Sequence, residues 1–244
     1  MKLTVIGHWG GYPAAGEATS GYLLQKDGFN LLIDCGSGVL SQLQKYINPQ
    51  ELNAVILSHY HADHVADIGV LQYCRYIQSF LTENMSVLPI YGHAEDKRGF
   101  DKLTYQQSTK GIAYDPEAAL IVGPFTITFQ KTKHAAVCYA MRISDGETSI
   151  VYTADTAYIP ELAHFSSGAE LLFAECNFYK GMDGSGPGHM NSIDCGTLAS
   201  ESGVPHLLLT HLAHFGENKN LVTEAKEVYN GKVELARSGW TWGL

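Results

Sequence analysis

The stretch "NAVILSHYHADH", residues 53–64, constrains the fold more than any other part of the chain. Its apolar run, Ala54 to Leu57, predicts a strand covered on both faces. Three histidines and an aspartate follow at once: His59, His61, Asp63 and His64. The C-terminal ends of strands, where they run into loops, are where α/β sheets place their sites. His59 and His61 are two apart, so in extended backbone their side chains point to the same side. At Asp63 and His64 the chain must turn into a helix. Adjacent side chains diverge there, which opens two separate metal positions. Imidazole nitrogen and carboxylate oxygen suit zinc, and also iron or manganese.

Three further ligand candidates share that context. "FTITFQKTKH" ends in His134, "SIVYTAD" in Asp155 and "HLLLTH" in His211, each read as a residue that closes a strand. Any one of them alone would pass as an ordinary loop residue. Together with the first cluster they complete two metal sites.

The rest of the chain supplies a scaffold of the same kind. "KLTVIG" reads as a buried strand, and "GYLLQKDGFNLLIDCG" as two strands joined by an Asp27-Gly28 hairpin turn. "SGVLSQLQKY" has helical spacing with Ser37 as candidate N-cap, and "VADIGVLQYCRYIQSF" a helix with Val65, Ile68 and Leu71 on one face. "LPIYG" is a strand and "AEDKRGFDKLTY" a helix. "VCYAMRI" and "SIVYTAD" are strands joined across Asp145-Gly146. "AELLFAECN" is a buried strand, followed by the glycine-rich loop "GMDGSGPGHMNS" and the helix "IDCGTLASESG". "PHLLLTHL", "KNLVTEAKEVYN" and "KVELAR" read as strand, helix and strand. Hairpins flank crossovers in both halves, so α/β layers with mixed sheets are expected rather than one parallel sheet. We expect a single domain over residues 1–244, built of two similar halves that meet near residue 120.

Composition narrows the partners. A formal net charge of −9 disfavours a long phosphate polymer. Cys35, Cys74, Cys138, Cys176 and Cys195 are widely spaced and odd in number, which fits buried thiols rather than a disulfide framework or a zinc ribbon. No apolar run reaches the roughly 20 residues of a membrane span. "MKLTVIGHWGG" lacks the pattern of a secretory leader, so a cytoplasmic protein is expected.

"SHYHADH", His134, "TAD" at Asp155 and "LTH" at His211 together resemble the metallo-β-lactamase fold superfamily. "LLIDCGSGVLSQLQKY", "LPIYG" and "PGHMNSIDCGTLASESGVPHLLLTHL" bring the resemblance closer to its RNase Z-like branch. The resemblance spans nearly the whole chain, and the first motif is its most specific part. It implies a four-layer αββα sandwich with two mixed sheets and a dinuclear centre at one edge. His59, His61 and His134 would hold one ion; Asp63, His64 and His211 would hold the second; Asp155 would bridge. Zinc is the first expectation, manganese and iron the alternatives. No cysteine stands at a ligand position, and Cys35 reads as a core thiol. Asp34 reads as a carboxylate that orients a ligand histidine or caps a turn, and Asp67 as a solvated helix residue.

Asp63 and His189 are the catalytic candidates. In the resembled branch the histidine matching His189 stands beside the metals without being a primary ligand, which suits protonation of a leaving oxygen or stabilisation of phosphoryl charge. His214, three residues after the last ligand, is a weaker candidate for substrate contact. His8, His93, His164 and His206 have no constellation around them. The preferred function is hydrolysis of a small phosphodiester. The alternatives are tRNA 3′ processing, hydrolysis of esters, thioesters, lactones or β-lactams, and binding without turnover. Enzymes of the branch that process tRNA carry a basic, glycine-rich arm between the positions matching His134 and Asp155. Here that interval holds two short strands and a turn, so structured RNA is disfavoured; a homodimer is allowed.

Overall fold

The computed structural model describes residues 1–82 and 85–243. The chain divides into two compact units, Met1–Asp115 with Arg237–Leu244, and Pro116–Ala236. The division falls close to residue 120, and the C-terminal segment returns to the first unit.

The first unit carries a seven-stranded sheet. Its strands are β1 (Lys2–Gly7), β2 (Gly21–Lys26), β3 (Phe29–Ile33), β4 (Ala54–Ile56), β5 (Leu88–Gly92), β6 (Thr109–Ala113) and β14 (Thr241–Gly243), in the order β14-β1-β2-β3-β4-β5-β6. Pairings from β14 to β3 are antiparallel and those from β3 to β6 parallel. The β2–β3 hairpin closes on Asp27 and Gly28, both at positive φ (50° and 80°), the backbone that such a tight turn requires. Leu23, Leu32, Val55 and Ile90 from this sheet, with Leu57 just after β4, pack with Val39, Leu40 and Leu43 of α1 (Val39–Leu43) and with Ile68 and Leu71 of a later helix, Ile68–Ser79.

The second unit carries another seven-stranded sheet: β7 (Leu120–Val122), β8 (Phe125–Lys131), β9 (Tyr139–Ser144), β10 (Ser149–Tyr152), β11 (Leu171–Glu175), β12 (His206–Thr210) and β13 (Lys232–Leu235), ordered β13-β12-β11-β10-β9-β8-β7. Here β10 to β13 are parallel and β7 to β10 antiparallel. Every residue of β11 and β12 is buried, which for β11 is what the apolar run in "AELLFAECN" predicted. β8 alternates buried Phe125, Ile127 and Phe129 with more open positions, as expected of a half-covered strand. The expected α/β architecture with two mixed sheets is thus observed.

Several local expectations need correction. α1 spans only Val39–Leu43, and its N-cap is Gly38 at φ 82° rather than Ser37. The stretch 94–105 forms a single helical turn, Lys97–Phe100, followed by a 3₁₀ turn, not a continuous helix. β6, β7 and β14 escaped the sequence reading because short edge strands carry little apolar periodicity. β8 ends at Lys131 and β10 at Tyr152, so His134 and Asp155 each lie three residues beyond their strands.

The segment Asp34-Cys35-Gly36 is tied directly to the histidine motif. Cys35 N–H donates to the His64 carbonyl (2.8 Å), and Asp67 N–H donates to the Cys35 carbonyl (3.1 Å). A Cβ on Gly36 would fall 1.9 Å from the Asp63 carbonyl oxygen and 2.1 Å from Thr19 Oγ1. Only glycine lets these two backbones meet. Gly36→Ala should therefore destabilise the fold by about 2 kcal/mol or more, as overpacking against rigid backbone does. Chemical denaturation of the two proteins measures it; an unchanged midpoint would show that the segment can shift at no cost.

Candidate metal centre and acid–base pair

In the first unit, the residues after β4 turn through α2 (Ala62–Val65) into α3 (Ile68–Ser79). His59 and His64 are fully buried, Asp63 is nearly so, and His61 is the most accessible of the four. The His59 ring lies 4.8 Å from that of His61 and 4.1 Å from that of His64, centroid to centroid. His59 and His61 offer ligand atoms within 4.8 Å of each other, as do Asp63 and His64. The first motif therefore folds into a tight donor cluster, as its spacing predicted.

Asp34 organises it. The residue follows β3 with φ 55°, a left-handed backbone that aspartate tolerates better than most side chains. Its carboxylate is buried and accepts Ser58 N–H (2.8 Å), Ser58 Oγ–H (2.8 Å) and the Nδ1 side of His64 (2.8 Å). Since Ser58 donates its hydroxyl proton to Asp34, its oxygen is the acceptor for His59 Nδ1 at 3.1 Å. Both histidines are thereby set in the Nδ1–H tautomer, with the lone pair on Nε2, the form that binds a metal. Asp34 thus engages a histidine of the motif, His64, rather than only capping a turn. The expectation for Asp67 is corrected: its carboxylate accepts Leu40 N–H (2.9 Å) and is half-buried, and that burial raises its pKa. Asp63 Oδ2 accepts Gly11 N–H at 2.8 Å.

In the second unit the residues after β8, β10, β11 and β12 supply the donors. β8 and β10 both run antiparallel to β9, so His134 and Asp155 emerge at the same sheet edge. Asp155 Oδ2 lies 3.7 Å from His134 Nε2 and 3.5 Å from His211 Nε2. Asp155 and His211 are buried. Ala154 (φ 50°) and His211 (φ 52°) are left-handed. The amide of Asn177 donates to the His211 carbonyl (3.1 Å) and so steadies that turn. The Gly188 carbonyl faces His134 Nδ1 at 3.0 Å and sets its tautomer as Asp34 does for His64. Gly188 has φ 85°, and a Cβ there would stand 2.8 Å from His134 Cα. The glycine-rich loop is thus built to approach His134 closely.

His189 is held by a residue the sequence reading missed. Its Nδ1 lies 2.8 Å from Oε1 of Glu175, the last residue of β11. Glu175 is fully buried and also accepts Thr156 N–H (3.1 Å) and Asn177 N–H (3.3 Å). Burial holds its carboxyl above the usual range, outweighing the hydrogen bond and charge of His189, which act to lower it. Glu175, His189 and His211 offer donor atoms within 4.8 Å of one another. The His189 ring stacks on His211 (5.4 Å, 18°) and meets His134 edge-on (5.1 Å). A signal was present in "ELLFAECN": an acid in an otherwise apolar strand must find a partner when buried. Beside His189 opens a cavity of about 340 Å³, lined in part by Ala157, Tyr158, Ser185 and Asn191. Among the described residues, His8, His93, His164, His206 and His214 join no such donor cluster.

Residues 29–212 match the family described as β-lactamase superfamily domain. The probable metallo-hydrolase YhfI of Bacillus subtilis is 56% identical over 242 residues, with 99% of each chain covered. The crystal structure of YhfI, a metallo-β-lactamase fold protein, superposes with a TM-score of 0.98 over 99% of this chain and 98% of that one. Ribonuclease Z of Metallosphaera sedula is 22% identical, covering 94% of each chain. A diphosphatase from the PhnP family shares the fold at TM-score 0.80 and 18% identity, covering 100% and 97% of the two chains.

Asp34→Ala should lower metal affinity about 10–100-fold, the usual effect of losing the partner that orients a ligand. Asp155→Ala should lower it further and abolish turnover. Chelator competition measures both; equal affinity for wild type and Asp34→Ala would mean that the hydrogen bonds to Ser58 and His64 do not position ligands.

Proposed function

This chain belongs to the β-lactamase superfamily, in its RNase Z-like branch, and has the metallo-β-lactamase fold; on that premise we propose a metal-dependent hydrolase that cleaves a small phosphodiester. The observation that carries this reading is the Glu175–His189 pair set against His134 and His211. The name of YhfI, a probable metallo-hydrolase, supports the broader part of it.

We assign the ligands as the family resemblance orders them: His59, His61 and His134 to one ion, Asp63, His64 and His211 to the second, Asp155 to both. The donor set fits such ions in two ways. It is all imidazole and carboxylate, the chemistry of zinc, iron and manganese sites. In addition, Asp34, Ser58 and Gly188 engage the Nδ1 sides of His64, His59 and His134 and leave Nε2 as the ligating atom. Two such ions, when bound, turn water into a strong nucleophile near neutral pH and polarise a phosphoryl oxygen. Asp63, steadied by Gly11 N–H, accepts a proton from the attacking water. Glu175 holds His189 by Nδ1, so that Nε2 is the atom that donates a proton to the leaving oxygen.

Between His134 and Asp155 the chain holds only β9, β10 and their turn, where Asp145 Oδ1 accepts the N–H groups of Glu147 (3.1 Å) and Thr148 (2.8 Å). No arm of the kind that could hold folded RNA stands there. The cavity of about 340 Å³ at His189 lies in the range of small-molecule pockets. Among the described residues, no helix is long and apolar enough to cross a membrane.

Elemental analysis after reconstitution should give about two divalent ions per chain. Saturation at one, with Asp63, His64 and His211 replaceable at no loss, would refute the dinuclear assignment. His189→Ala should keep both ions and lose about 10²–10⁴-fold in rate. The loss should be least with a leaving group that needs no proton. A comparison of kcat/KM for a small cyclic or model phosphodiester and for precursor tRNA, at two salt concentrations, tests the substrate class. Efficient and strongly salt-dependent cleavage of the tRNA would overturn the small-substrate reading.

A further inference from the structure

The cavity of about 340 Å³ beside His189 is walled by side chains that the reaction described above does not use. Tyr158, Asp183, Ser185, Asn191 and Asp194 line it together with His189, and among its described lining residues there is no lysine or arginine. The wall is braced by the chain itself. The Gly184 carbonyl accepts the N–H groups of Gly188 (3.0 Å) and His189 (2.9 Å). The Asn191 amide donates to the Met182 carbonyl (3.1 Å), and its oxygen accepts the N–H groups of Ile193 (2.9 Å) and Asp194 (3.0 Å). Tyr158 gives its hydroxyl proton to Glu201, so that hydroxyl has no donor left for a bound group. Asp183 Oδ1 accepts Ser185 N–H (2.9 Å), and hydrogen bonds from Ser185 hold that carboxyl below the usual range; the charge of exposed Lys133 acts the same way more weakly. Asp194, in the first turn of the helix Ser192–Ser202, accepts Asn191 N–H (3.1 Å) and is half-buried. The polar character of the cavity is therefore that of an acceptor, and its formal charge is negative.

We infer that this cavity is the subsite of the leaving alcohol, and that it selects an alcohol bearing an ammonium group over one bearing an anion. The inference rests on the reading of His189 as the proton donor of a phosphodiesterase. Nδ1 of His189 is taken by the fully buried Glu175, so the part of the ring open to solvent, 17% of the side chain, is its Nε2 side. The leaving oxygen must come within hydrogen-bond reach of that atom, and the group it carries then lies in the cavity that His189 lines. In the cleavage the P–O bond to the alcohol breaks with its electron pair on the alcohol oxygen. The hydroxyl of a water joins phosphorus, Nε2–H gives the alcohol its proton, and the water's second proton goes to solvent, from which the imidazole is recharged. Charge decides among leaving groups of equal size. An ammonium finds the carboxylates of Asp183 and Asp194, and Tyr158 adds a ring of the kind that attracts a cation. A neutral hydroxyl can donate to the same oxygens but gains no Coulomb term. A carboxylate or a further phosphate meets like charge with no lysine or arginine in the lining to offset it.

Three esters of thymidine 5′-phosphate test this, made with the hydroxyl of 2-aminoethanol, ethylene glycol or glycolate. They differ in the charge of the leaving alcohol and hardly in its size. Release of thymidine 5′-phosphate by the metal-loaded protein gives kcat/KM for each. Comparison of variants with wild type cancels the alcohols' own reactivities. In Asp183→Asn the ratio of the aminoethyl to the carboxymethyl ester should fall about tenfold, since an exposed charge pair contributes up to about fivefold and acts on the two esters with opposite sign. In Asp183→Lys it should fall further, while both variants cleave the hydroxyethyl ester at close to the wild-type rate. Glu147→Lys is the control. It makes the same change in net charge, in the exposed β9–β10 turn at the end of those strands opposite Asp155, and should leave the ratio unchanged. Hydrolysis of all three esters with a ratio indifferent to residue 183 would overturn this inference alone. Release of thymidine in place of thymidine 5′-phosphate would also overturn it, because the alcohol would not be the leaving group. Hydrolysis of none of them would overturn the phosphodiesterase reading and the inference with it.

Discussion

The carboxylate of Asp34 is the interaction on which the first unit's chemistry rests. A buried anion costs several kcal/mol unless its oxygens are matched with donors. Asp34 has three: the N–H and O–H of Ser58 and Nδ1 of His64. Each donor does a second thing. Ser58, once it has given its proton, accepts from His59. His64, once held at Nδ1, keeps its lone pair on Nε2. One buried charge thereby sets two imidazoles, and the turn at Gly36 brings the backbone of Asp63 against it.

The second unit solves the same problem with another carboxylate. Glu175 ends β11 as Asp34 follows β3, and it too is fully buried. It takes N–H groups from Thr156 and Asn177 and then the Nδ1 side of His189. In both units the carboxylate stands at the C-terminal end of a strand with a parallel neighbour. There the chain leaves the sheet and its backbone N–H groups become available as donors. The left-handed residues Asp34, Ala154 and His211 mark the same places. Such conformations cost on the order of 1–2 kcal/mol each and persist where surrounding contacts over-determine them. Asp34 and His211 show those contacts: three donors on one side chain, and the Asn177 amide on the other's carbonyl.

How much of this could be read from residues alone depends on how local the signal is. The histidine motif and its strand lie within a dozen residues, and their spacing sufficed. Asp34 was legible as a support because an acid after a buried strand has few other uses. Glu175 was not, since its partner His189 is 14 residues away across a loop whose path no periodicity reveals. Ser37 misled for a related reason. A serine ahead of apolar residues looks like a cap, yet its carbonyl is taken by Thr19 N–H (3.0 Å), and Gly38 supplies the left-handed start of the helix instead.

The core of each unit explains why such chemistry can be carried without endangering the fold. In the first, Leu32, Val55, Leu57 and Ile90 are completely buried; in the second, Leu171, Leu172, Phe173, Leu207 and Leu208 are. At roughly 1.5–3 kcal/mol for each such side chain, burial of apolar surface drives the folding of both sheets. The candidate ligands sit beyond the strand ends, and the buried carboxylates of Asp34 and Glu175 are matched by N–H and O–H groups of the chain itself. On the proposed assignment, a change at Asp155 or His211 would alter which ions can be held. A change at Leu172 or Val55 alters whether there is a sheet edge to hold them.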